Sequence, residues 1–264
     1  MEINLSKGYA LVTGASMGLG KSFSIELAKQ GYSLILVSLP NQNLMQLSKE
    51  IEDHYKVKTT CFELDFSDLS NIEFLAKEVN EKYKVQILIN NAGTGGTKRF
   101  SEAHSDYINR ILNVNIHGTS VLTHQLLPNL KQFSKSYILN VSSIAAFSPV
   151  GYKTVYPASK SFIYSFSIGL AQELKADNVT VSVINPGAMK TNDEITARIE
   201  KQGLIGKLTL LHPDQVAKVT LKKMFKGQNL ILLNRMSWVV SKLIPLKYKT
   251  AMLTNIIKKE LSDA

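Results

Sequence analysis

Tyr156 and Lys160 stand four residues apart in the run Tyr156-Pro157-Ala158-Ser159-Lys160. On a helix that spacing puts both side chains on one face, where they can meet one ligand. A free tyrosine titrates at about 10, and a neighbouring ammonium favours the phenolate, which brings the phenol closer to working pH as a general acid or base. Tyrosine and lysine often fall at this spacing by chance, so the weight of the pair comes from its surroundings. Ser143 closes a predicted strand thirteen residues earlier, and Asn115 lies in the long predicted helix before that strand.

The hydrophobic pattern describes the elements that must carry these side chains. Gly8 to Thr13 reads as a short buried strand, followed by a glycine-rich turn and a helix from about Gly18 to Gln30. The alternation continues with strand Ser33 to Val37, helix Gln42 to Tyr55, strand Val57 to Glu63, helix Ser67 to Lys82 and strand Val85 to Asn90. One long helix is predicted over Ser105 to Leu130, then strand Ser136 to Val141, helix Val155 to Ala176 and strand Val179 to Ile184. A helix near Asp214 to Phe225 and a last strand at Asn229 to Leu233 complete the series. Right-handed βαβ units in this order predict a single Rossmann-type α/β domain: a doubly wound sheet of about seven parallel strands with helices on both faces. Residues 1–235 are expected to form it, with residues 236–264 as a basic, apolar helical appendage.

The first turn reads Thr13-Gly14-Ala15-Ser16-Met17-Gly18-Leu19-Gly20. Missing side chains between a strand and a helix let backbone N–H groups and the helix N-terminus approach a pyrophosphate, although such turns also occur for packing. Asp65, ahead of Phe66 at the end of the third strand, would lie on the adenine side of a dinucleotide; the other reading is a neighbour of a helix N-cap. Asn90-Asn91-Ala92-Gly93 follows the fourth strand beyond a carboxyl edge, where open α/β sheets bind ligands.

Across roughly residues 8–235 the chain resembles the short-chain dehydrogenases/reductases. The likeness rests on ordered motifs: Thr13 to Gly20, Asp65, Asn90 to Gly93, Asn115 in Asn113-Val114-Asn115, Ser143 in Val141-Ser142-Ser143, Tyr156 to Lys160, and Asn185-Pro186-Gly187 with Thr191. The resemblance implies that Tyr156 protonates a carbonyl oxygen as hydride arrives, Ser143 hydrogen-bonds that oxygen, and Lys160 binds the nicotinamide ribose while biasing Tyr156. It further implies that Asn115 holds a water linking Lys160 to solvent, and that Pro186, Gly187 and Thr191 border the nicotinamide. A developing alkoxide needs oriented donors and a proton source of suitable pKa, so the physical reading agrees.

Two positions depart from the family pattern. The end of the second strand reads Ser38-Leu39-Pro40 and the turn carries Met17, so neither the acidic residue that selects NAD nor the basic one that selects NADP is present. Without a carboxylate nothing repels a 2′-phosphate, and Ser38 could donate to one, which favours NADP(H) over NAD(H). Pro157 directly after Tyr156 is tolerated in a first helical turn. The expected activity is hydride transfer between NAD(P)(H) and a carbonyl or alcohol, on an apolar substrate such as a 3-oxoacyl thioester or a hydroxysteroid-like ketone. A dinucleotide-binding sensor or scaffold without turnover is the competing expectation.

Composition removes other classes. Hydrophobic residues make up 44% and charged residues 20% of 264, ordinary globular values. Cys61 is the single cysteine, so no intrachain disulfide forms, and His54, His104, His117, His124 and His212 lack metal-site spacing; no metal is expected. With no signal-like start and no long apolar run, a cytoplasmic location is expected. The net charge is +10, and from Arg198 onward 13 Lys or Arg face only Glu200, Asp214, Glu260 and Asp263. An anionic membrane surface or an acidic carrier fits that segment, whereas no motif supports nucleic acid. Trp238 and its aliphatic neighbours read most simply as packing under the last strand. The resemblance implies a homodimer or homotetramer through the helices Ser105 to Leu130 and Val155 to Ala176.

Overall fold

The computed structural model describes residues 7–187, 212–233 and 243–262. Thr191, the stretch Asn192 to Leu211 and Trp238 lie outside them. Seven strands form one parallel sheet: β1 Tyr9–Thr13, β2 Leu34–Ser38, β3 Thr59–Glu63, β4 Val85–Asn90, β5 Ser136–Val141, β6 Val179–Ile184 and β7 Leu230–Ile231. Their spatial order is β3-β2-β1-β4-β5-β6-β7, with in-register parallel pairs such as Val12 beside Leu36 and Leu139 beside Ser182. The order reverses between β1 and β4, which opens a crevice at their carboxyl ends.

β2 and β5 are buried at every residue, as expected of strands covered on both faces. One face packs against α1 Gly18–Lys29, α2 Leu44–Tyr55 and α7 Pro213–Phe225, through Phe23, Leu27, Leu47, Ile51 and Leu221. The other meets α3 Leu69–Lys82, α5 Gly118–Leu130 and α6 Val155–Glu173, through Leu75, Val79, Leu122, Leu126 and Ala171. Local signals fix the ends: the Asp68 carboxylate accepts from Ser70 N to cap α3, and Pro213 opens α7.

Two predicted elements differ. The long helix is broken into α4 Ser105–Leu112 and α5 by a π-helical turn, Asn113–His117. Widening the turn brings Asn115 inward to 1% exposure. The last strand shrinks to two residues, because beyond Ile231 the Leu232 carbonyl accepts from Lys223 Nζ instead of a strand partner. A C-terminal helix, α8 Leu246–Ser262, follows. No described helix is long and apolar enough to cross a membrane.

Candidate active site

The glycine turn lies at the crevice between β1 and β4. Gly14 and Gly18 adopt left-handed conformations, with φ of 65° and 54°. A β-carbon on Gly20 would sit 1.9 Å from the Gly14 carbonyl oxygen, so α1 can begin this close to the turn only with glycine there. Asn91 braces the turn: its Nδ2 donates to Thr13 O at 2.9 Å and to Gly14 O at 3.1 Å. Thr13 Oγ1 in turn accepts from Asn91 N and Ala92 N, each at 3.0 Å. Met17 is extended ahead of α1, no side chain caps the helix, and its first turn holds no acidic residue. The α1 N-terminus therefore faces the crevice with its positive dipole end uncapped by side chains.

At the next strand ends the polar groups are already engaged. Ser38 is buried and its hydroxyl donates to Leu39 O at 3.0 Å, while Leu39 to Asn43 carry no charge. The Asp65 carboxylate accepts from Ser67 N at 2.8 Å, closing a local turn ahead of Asp68, the N-cap of α3. Phe66 is buried in the core, and a β-carbon on Gly118 would lie 3.0 Å from its ring.

Tyr156, Ser143, Lys160 and Asn115 come from α6, the end of β5 and the π turn to one place. Ser143 stands close enough to Tyr156 to favour its phenolate, and the Ser143 Oγ accepts from Ala145 N at 3.1 Å. Lys160, 5% exposed, donates to Val141 O at 2.9 Å, and its Nζ lies 5.9 Å from the centre of the Tyr156 ring. Burial lowers the Lys160 ammonium to about 8. Burial also raises the Tyr156 phenol, against a smaller downward pull from Ser143. The ammonium is expected to draw the phenol down; instead desolvation of the phenolate sets the direction, and the opposing pull comes from Ser143.

Asn115 uses its amide on protein partners: Oδ1 accepts from Thr94 N at 2.8 Å, and Nδ2 donates to Thr94 O at 2.9 Å and Ser159 Oγ at 2.8 Å. It nonetheless faces Lys160 across Gly93. A β-carbon at Gly93 would lie 3.1 Å from Lys160 Nζ and 3.4 Å from Asn115 Oδ1. Beyond β6, the Pro186 carbonyl accepts from Ile144 N at 3.1 Å, which ties Pro186-Gly187 to the turn after Ser143. Asn185 is 7% exposed, and among the described residues neither its Nδ2 nor its Oδ1 has a hydrogen-bond partner. Such an orphaned pair calls for a polar ligand group or water.

Sequence reasoning missed several residues of this site. Ser159 donates to Tyr156 O at 2.7 Å while accepting from Asn115. A β-carbon on Gly95 would fall 2.9 Å from Tyr156 Cδ2, and one on Gly96 would fall 2.6 Å from the Tyr107 ring. Lys98 N donates to Tyr152 O at 2.7 Å, joining the loops before α4 and α6. The glycines in Gly93-Thr94-Gly95-Gly96 were the available signal, but their neighbours lie on other elements.

Fold and crevice define a Rossmann-type α/β protein. Residues 8–202 match the family model of the short chain dehydrogenases, and the chain belongs to that family. It is 33% identical over 182 residues to very-long-chain 3-oxoacyl-CoA reductase-A of Danio rerio, covering 67% of this chain and 57% of that protein. The chain spans little more than half the length of the first curated relatives that it matches. Among solved structures, a 7beta-hydroxysteroid dehydrogenase superposes with a TM-score of 0.86 at 20% identity, covering 93% of this chain and 96% of that one. A Sphingobium yanoikuyae short-chain dehydrogenase in complex with NADPH gives 0.78 at 24% identity, covering 89% and 92%.

Proposed function

We propose that this protein is a reductase that uses NADP(H) to reduce the carbonyl of an apolar substrate, foremost a 3-oxoacyl thioester. The observation that carries the reading is the convergence of Tyr156, Ser143 and a buried Lys160, with the Lys160 Nζ 5.9 Å from the centre of the Tyr156 ring. The names of the curated relatives support the thioester over a hydroxysteroid-like ketone.

The residues present fit a dinucleotide. Gly14 and Gly18, at left-handed φ, and Gly20, against the Gly14 carbonyl, keep the turn tight, and Ser16, Met17 and Leu19 bring the uncapped start of α1 to it. Ser38, Asp65 and Phe66 would flank the adenosine, and Asn91, Ala92, Gly93, Tyr156 and Lys160 the nicotinamide ribose. Asn185, whose amide has no partner among the described residues, stands beside Pro186 and Gly187 where the nicotinamide would lie, the edge to which the family resemblance also assigns Thr191. The absence of acidic side chains from Ser38 to Gln46 favours a 2′-phosphate. When bound, the dinucleotide supplies the hydride.

The protein's own residues then handle the proton. Tyr156 keeps its hydroxyl proton until charge develops on the substrate oxygen, since burial disfavours its phenolate. Ser143 donates a hydrogen bond to the same oxygen, and the phenol passes its proton across. The Lys160 charge stabilises the phenolate that results. A water in the gap beside Gly93, held by the free lone pair of Asn115 Oδ1, would return the proton through Lys160.

The test is a titration with NADPH and NADH, followed by oxidation of the preferred cofactor with 3-oxoacyl and ketone substrates, for wild type and Tyr156→Phe. Turnover that the variant loses while binding persists supports the reading. Tight binding without turnover on any substrate would sink it.

Two partners extend the proposal. Phe162 and Phe166 stack on the outer face of α6 with ring centres 5.8 Å apart, beside an open Gly169, and a second copy of this helix is the partner that they fit. Light scattering on Phe162→Asp should report a smaller particle. On α8, Tyr248, Met252 and Ile256 form an exposed row at four-residue spacing, flanked by Lys247 and Lys259. Such a row suits an anionic bilayer surface. Salt-sensitive co-sedimentation with anionic vesicles, abolished by Met252→Asp with Ile256→Asp, is expected; no binding at low salt would sink it.

A further inference from the structure

The chain between Ser143 and Tyr156 is held from outside by α8 at two points. Lys249 Nζ donates to Phe147 O at 2.6 Å, at the end of the 3₁₀ turn Ile144–Phe147 that Ser143 caps. Thr254 Oγ1 accepts from Gly151 N at 2.9 Å, and a β-carbon on Gly151 would lie 2.6 Å from Thr254 Cγ2. Helix and loop thus meet so closely that a β-carbon on Gly151 would force the Thr254 side chain to shift. Lys249 is 7% exposed, whereas Lys247 and Tyr248 beside it are open to solvent. Lysine is seldom so buried unless it is partnered, and the backbone of the catalytic connection is one partner of this ammonium.

The attachment is local. A cavity of about 370 Å³ remains between α8 and the start of α6, bordered by Pro149, Val150, Thr154, Pro157 and Thr250. Packing there leaves room, so the two polar contacts set where the connection lies. From the inside, Ser161 Oγ donates to Ala146 O at 2.6 Å and the Phe147 ring meets Tyr164 edge-on. Tyr152, at a left-handed φ of 64°, passes the linkage to the loop whose Gly95 abuts the Tyr156 ring.

We propose that α8 is a strap that fixes Ser143 against Tyr156, with Lys249 and Thr254 as positioning residues for carbonyl reduction; this rests on the function proposed above. Neither side chain touches substrate or cofactor. Each acts by holding one end of the loop that joins the two groups on the reacting oxygen. A displacement of even an ångström between such groups costs on the order of a hundredfold in rate.

The test compares full-length Lys249→Met, Lys249→Arg, Thr254→Val and Thr254→Ser with wild type. NADPH affinity should stay within about twofold and substrate KM within about threefold, while kcat falls roughly ten- to a hundredfold in Lys249→Met and Thr254→Val. Lys249→Arg and Thr254→Ser, which keep a donor and an acceptor, should recover most of it. Independently of turnover, the Tyr156 titration, read by ultraviolet difference against Tyr156→Phe, should move upward in the two apolar variants as Ser143, which favours the phenolate, draws away from the phenol. A wild type without turnover would count against the proposed function alone, since the titration still judges the strap. Variants with wild-type kcat and unmoved titration would overturn it, as would loss of cofactor binding in step with kcat.

Discussion

Lys160 donates to the carbonyl of Val141 rather than to the phenol of Tyr156, whose ring centre lies 5.9 Å from its Nζ. The lysine is thereby anchored to β5, the same strand that delivers Ser143. Its partner is a neutral carbonyl, which offsets little of the cost of burying an ammonium, and its pKa falls to about 8.

Reductive turnover should accordingly fall as pH rises through about 8, where Lys160 loses its proton. A pH–rate profile of kcat under saturating cofactor checks this. A Lys160→Arg enzyme that binds cofactor should lose that limb.

Lys160 also makes stability depend on pH. Its folded pKa, about 8, is below the ordinary 10.5, so the unfolded chain binds more protons between those values. The cost of the buried charge is full below about pH 8 and lifts as pH rises toward 10.5. Stability should therefore rise over that window, relative to Lys160→Met, by on the order of 3 kcal/mol. Urea titrations of both proteins from pH 7 to above pH 10 measure the difference.

Tyr156→Phe should lower kcat by about a hundredfold or more and leave NADPH affinity near wild type. Fluorescence titration paired with single-turnover absorbance separates the two. Loss of binding alone would mean that the phenol serves the cofactor rather than the proton.

Asn115→Leu removes three hydrogen bonds and leaves Thr94 N–H and O without their partners. A loss of about 2–4 kcal/mol in stability is expected, together with faster amide exchange at Thr94. Denaturant unfolding and hydrogen exchange report the two effects.

Gly20→Ala places a methyl 1.9 Å from a backbone oxygen that cannot yield without moving the turn. We expect NADPH binding to be lost and stability to fall by about 1–3 kcal/mol. Calorimetry of the variant with and without NADPH would show a cofactor-dependent shift in Tm only for wild type.

Much of this molecule was readable in advance because its signals are local. The run Leu34-Ile35-Leu36-Val37 is continuously apolar, as suits a strand covered on both faces. The glycine turn announces itself because backbone at φ of 65° and 54° excludes most side chains. Tyr156 and Lys160 share a face because helical geometry says so. Tertiary structure alone decided the rest, since each remaining feature depends on atoms distant in the chain. Burial, not the nearby charge, sets the Tyr156 phenol; Asn115 is engaged by Thr94 and Ser159; the π turn opens where Asn115 must reach inward. Most of all, Lys249 and Thr254 meet Phe147 and Gly151 across some hundred residues of chain, a contact that no spacing rule encodes.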